Sequence, residues 1–135
     1  MTILARVIIV CGIAILAYQA IAAAASGALG IAYTKFAFGS YAIYAAAGFT
    51  AGRYGPLWWG AAAGAAVAAI EGFFGWRLAA VVGPDVVRLG LHESHASSSW
   101  VWRLLALALV GAGLGLAGGA YAHWRRRRRE PQVTA

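Results

Sequence analysis

Few side chains in this sequence can do acid–base, nucleophilic or metal chemistry. Glu71 stands out because it falls near the middle of a helix-length apolar run, Leu57 to Val82. At about 1.5 Å of rise per residue that stretch makes a helix about 39 Å long, enough to cross the hydrocarbon of a bilayer with some tilt. A carboxyl at that depth costs about 3 kcal/mol on insertion scales, so it should face protein or water rather than lipid. Such a group can fix helix register as a hydrogen-bonded neutral acid, serve as a proton or cation site, or meet a partner subunit or lipid. The first role is the expectation, because no cluster of Asn or Asp accompanies Glu71 to suggest a transport pathway.

The other chemical groups are sparser still. His92-Glu93-Ser94-His95 places two imidazoles three residues apart, a spacing that on a helix could begin a zinc or copper site. Asp85 is the only further ligand nearby, so solvated histidines are expected and no metal or other cofactor is implied. Cys11 is the single cysteine and excludes an intrachain disulfide; Val10 before it does not fit a lipoprotein signal. Gly48 to Arg53 is glycine-rich but lacks the strand and lysine of a phosphate loop, and no nucleophile–base pairing or nucleotide fingerprint appears. The sequence therefore points away from an enzyme.

The elements that must position these groups are membrane elements. Hydrophobic residues make up 62% of the 135 positions and charged ones 11%, a balance that a soluble domain could not bury. Four spans are expected, at about 3–25, 33–52, 57–82 and 100–124, in one all-α antiparallel bundle, with a basic tail at 125–135. Ser26 to Gly30 and Gly52-Arg53-Tyr54-Gly55-Pro56 read as turns, and Trp58, Trp59, Trp100, Trp102 and Trp124 as interfacial anchors. Gly83 to Ser99 is long for a hairpin, and Asp85 to His92 within it could form a short helix lying in the membrane surface. Arg6, the apolar run after it and Ala23-Ala24-Ala25-Ser26 also resemble a cleavable signal peptide, a rival reading of the first span.

Charge sets the orientation. Four spans put Arg6, Arg53 and Arg125, Arg126, Arg127, Arg128 and Arg129 on one side, with Lys35 and Arg88 on the other. The positive-inside rule then makes both termini cytoplasmic, in what composition suggests is a bacterial inner membrane. The basic block just past an apolar segment reads as a topology and anionic-lipid determinant rather than a nucleic-acid groove, despite the net charge of +7.

Counting inward from the cytoplasmic ends, Gln19 and Ser40 reach the level of Glu71, with Tyr41 and Tyr44 beside them. The same count on the fourth span, from Arg125, arrives at Ala112. A polar layer of Gln19, Ser40, Tyr41 and Tyr44 around Glu71 is therefore expected. Arg77 is about 600° of helix from Glu71 and points elsewhere, so a direct ion pair is not expected. Glycines four apart, Gly48 with Gly52, Gly60 with Gly64, and Gly111 with Gly115 and Gly119, line small faces for close packing inside the bundle or in an oligomer.

Two families of small four-span proteins have patterns that this chain does not follow. Small multidrug exporters depend on a glutamate in the first span, where none occurs here. Fluoride channels carry a Gly-rich arginine turn early, whereas Gly52-Arg53-Tyr54 comes after the second span. The expected role is a non-enzymatic structural or accessory subunit of a membrane complex, or a homo-oligomer. The alternative is a small proton-linked transporter or channel using Glu71. The expected partners are the bilayer and other membrane subunits or further copies of the chain, with no nucleic acid.

Overall fold

The computed structural model describes residues 1–83 and 99–129, which are helical apart from short connections, with no strand among them. Helix α1 (Ile3–Leu29) starts at Thr2, whose hydroxyl accepts from the Ala5 amide at 3.3 Å, and stops at Gly30 with φ 63°. The left-handed conformation there suits glycine, which has no Cβ to clash. The turn expected from Ser26 therefore begins later. The Ser26 hydroxyl is buried and donates to the Ile31 carbonyl at 2.7 Å, tying the helix end to the connection that follows.

A 3-10 turn (Tyr33–Phe36) leads into α2 (Ala37–Tyr54), and Gly55-Pro56 separates α2 from α3 (Leu57–Val82). Gly55 lies under the Trp59 ring. Helix α3 is regular over Leu57–Ile70, widens to a π turn at Glu71–Gly75 and resumes over Trp76–Val82. Helix α4 (Ser99–Arg129) carries the arginine block as five further helical residues, not as a tail. The expected surface helix, Arg88, the His92–His95 motif and the tail from Glu130 to Ala135 lie outside the described residues.

Three of these helices, α1, α3 and α4, are long and apolar enough to cross a membrane. Helix α2 is not among them. It has 18 residues and includes Ser40, Tyr41, Tyr44, Thr50 and Arg53, and its polar side chains lower its average apolarity. Two of them, Ser40 and Tyr44, are buried against the other helices instead of being presented outward.

Packing relies on small residues. Val7, Ile15, Tyr44, Ala47, Ala51, Ala63, Val67 and Ala68 form the main buried cluster. Glycines bring α2, α3 and α4 into backbone contact: Gly48 meets Gly115, Gly52 meets Gly119, and Gly60 and Gly64 meet Gly111, Gly115 and Gly119. Residue numbers rise together along the α2–α4 contacts and in opposite senses along α3–α4, so the chain direction alternates between α2, α3 and α4. Large apolar side chains such as Ile13, Ile21, Phe38, Trp102 and Leu109 point outward, the inverse of a water-soluble surface.

Candidate functional site

Glu71 sits where α3 changes from α to π geometry, and its carboxyl is held from two other helices. Ser40 on α2 donates to Oε1 at 2.8 Å, and the Gln19 amide on α1 donates to the same oxygen. Gln19 also donates to the Ser40 hydroxyl at 3.2 Å, closing a triangle. The Tyr44 hydroxyl on α2 donates to Oε2. Gln19 is 5% exposed, Ser40 3% and Tyr44 0%; without the carboxyl the Ser40 and Tyr44 hydroxyls would lose their acceptor, and Gln19 would keep its bond to Ser40. Among the described residues no buried side-chain nitrogen or oxygen lacks a partner.

Local sequence explains this convergence. Ser40 and Tyr44 are four apart and therefore share one face of α2. Tyr41 is turned about 100° from Ser40. It is 38% exposed and rests its ring against Phe38 and Tyr44, at centroid distances of 6.3 and 6.2 Å. The expected layer is corrected at that position: Tyr44, not Tyr41, reaches the acid. Glycines admit the cluster from below, since a Cβ at Gly75 would lie 3.1 Å from Glu71 Cγ and 3.3 Å from Gln19 Cγ.

The fourth helix meets the site at a different level from the one expected. A Cβ at Gly72 would lie 3.1 Å from a Leu107 methyl, with Leu104 beside it, whereas Gly111 packs on Gly64 and Ala68. Leu104 and Leu107, not Ala112, are thus level with Glu71. The count from Arg125 failed because α4 continues past its neighbours: Gly119 is already opposite the start of α3, near the Leu57 carbonyl. Ser40 lies in the first turn of α2, so the polar cluster is closer to the Tyr33–Phe36 end of the molecule than to the arginine end.

The remaining candidates fall elsewhere. Arg77 holds its guanidinium 5.3 Å from the Phe73 ring centroid. All seven singled-out glycines, Gly48, Gly52, Gly60, Gly64, Gly111, Gly115 and Gly119, are engaged within the chain, so their faces do not supply an outward oligomer surface. Arg53 lies over the Tyr54 ring at 5.7 Å, at the same end as Arg6 and the arginines of α4. Among the described residues no three His, Cys, Asp or Glu side chains gather to hold a metal.

One contributor passed unnoticed in the sequence. Tyr18, next to Gln19, donates to the Phe36 carbonyl at 2.5 Å and lays its ring on Gly39. It anchors the start of α2, and hence Ser40, beside α1. Its adjacency to Gln19 was the one available signal, since a tyrosine at helix depth needs a partner for its hydroxyl.

Chemically, the arrangement is an acid with three uncharged donors on its two oxygens. Among the described residues no second acid stands beside it. No family model, curated protein or solved structure matches the chain.

Proposed function

We propose that the chain is a small polytopic protein of a bacterial cytoplasmic membrane, a four-span antiparallel bundle with both termini in the cytoplasm. Its role is non-enzymatic: a structural or accessory subunit of a membrane complex, or an oligomer of itself. The observation that carries this reading is the closure of Glu71. Gln19, Ser40 and Tyr44 occupy both of its oxygens from two neighbouring helices, which locks the register of α1, α2 and α3 and leaves little acceptor capacity for a substrate. Counting α2 as a span is supported by the inward orientation of Ser40 and Tyr44 and by its length, about 27 Å at 18 residues. Gentle extraction from the native membrane followed by mass analysis tests the role. Reproducible co-purifying subunits, or a defined oligomer with no ion flux, are expected.

A second reading has one observation in its favour. The π turn begins at Glu71, and such turns recur at functional sites. A proton-linked transporter would use Glu71 as its proton-carrying group. Reconstituted flux that vanishes in Glu71→Gln would replace the first reading with this one.

A further inference from the structure

The arginine block poses an electrostatic problem that the helix does not solve by itself. Arg125, Arg126, Arg127 and Arg128 are all exposed on α4, which stays helical to Arg129. Like charges three and four apart on a helix repel, and the helix C-terminal dipole offsets that for about one cation. Among the described residues the only carboxylate is Glu71, which is bound to Gln19, Ser40 and Tyr44 far down the helices. No described acid can neutralise the block.

The side chains beneath it are arranged as an interfacial platform. Tyr121 and Trp124 stack with centroids 5.6 Å apart and planes 27° from parallel, and Phe49 of α2 flanks Tyr121 at 6.0 Å. Arg128 lays its guanidinium 4.2 Å from the Trp124 ring centroid, four residues on along the same face. Arg125 stands four residues after Tyr121 and three before Arg128, so it belongs to that face too. His123 fixes the azimuth of this end through a 3.2 Å contact between its ring nitrogen and the Gly55 carbonyl in the α2–α3 turn. Exposed tryptophan and tyrosine sit at the edge of bilayer hydrocarbon. The arginines then lie about 1.5 to 6 Å further out, at the depth of headgroup phosphates.

We propose that Arg125 and Arg128, over the Tyr121–Trp124 stack, form a binding site for the phosphate of an anionic phospholipid headgroup, with the acyl chains running down the outer face of α4. The site rests on the membrane reading above, though not on the role given to Glu71. Planar guanidiniums suit a phosphate because they donate two parallel hydrogen bonds and can stack on an aromatic ring at the same time. The other arginines remain a general cationic field.

Native mass spectrometry of the full chain, released from nanodiscs of phosphatidylcholine and phosphatidylglycerol in equal amounts, tests the site. Retained phosphatidylglycerol adducts should exceed phosphatidylcholine about tenfold, and Arg125→Gln/Arg128→Gln should bring the two near parity. Arg126→Gln/Arg127→Gln removes the same charge and should keep most of the preference. Equal losses in the two double variants would overturn the site in favour of diffuse attraction. So would displacement of the retained lipid by millimolar inorganic phosphate or by a short oligonucleotide, since either would mark a soluble anion or nucleic acid as the occupant. An inserted chain holding both lipids equally overturns the site alone, whereas a chain that never enters the disc overturns the membrane reading with it. Both variants keep five of the seven arginines at that end, so orientation is preserved, and circular dichroism checks the fold.

Discussion

Around Glu71, one hydroxyl separates a supporting side chain from a bystander. Tyr44 donates to the acid while Tyr41, three residues earlier, faces partly outward. Tyr44→Phe is therefore expected to lower stability by about 0.6 to 1.7 kcal/mol, the range of interhelical hydrogen bonds in membrane proteins. Tyr41→Phe should stay within about 0.5 kcal/mol of the parent, as partly exposed substitutions usually do. Unfolding in mixed detergent micelles measures both. Much of this was legible beforehand. Counting from Arg6 and Arg53 leads to Gln19 and Ser40, and both hydrogen-bond to Glu71. The choice between Tyr41 and Tyr44 could have been made from the four-residue spacing to Ser40, which places Tyr44 on the same face. Tyr18 was less legible, because its partner is a backbone carbonyl in a turn whose shape no residue pattern announces.

Glycines bring α2, α3 and α4 into backbone contact, whereas α1 joins them through apolar side chains such as Val7 and Ile15 and through the bonds of Tyr18 and Gln19. Gly64 is the clearest test, since a Cβ there would meet the Gly111 carbonyl and lie 2.9 Å from Gly115 Cα. Backbone cannot yield as a side-chain tip can, so Gly64→Ala should cost about 1 to 3 kcal/mol. Gly113 looks onto open space, and Gly113→Ala should be neutral or stabilising by up to about 1 kcal/mol through helix propensity alone. The same unfolding assay compares them, and similar effects at the two positions would contradict the packing described here. Glycine spacing in the sequence identified small faces without saying what covers them; only the positions of α2, α3 and α4 show that they cover one another. The π turn was equally illegible, because neither the acid nor the two glycines of Glu71-Gly72-Phe73-Phe74-Gly75 announce a change of helix type. Helix α4 misled the count for a simpler reason: arginine is a good helix former, so α4 runs on through Arg125, and Gly119 is the residue opposite the start of α3.

For the whole molecule, the number of crossings decides the orientation of everything else. Three helices are apolar enough to cross a membrane, and α2 is the open case. If α2 also crosses, reporters fused at Met1 and after Arg129 will report the same compartment, and one inserted between Gly83 and Ser99 the other. Termini on opposite sides would mean three crossings. The central claim is that one intramembrane acid joins three helices, and a double-mutant cycle between Glu71→Leu and Gln19→Leu, read by unfolding in mixed micelles, tests it most directly. Because either change alone breaks the same contact and strands the surviving partner, the pair should cost less than the sum of the singles by about 0.6 to 1.7 kcal/mol. Strict additivity, with the two changes each costing the same whether or not the other is present, would contradict the account.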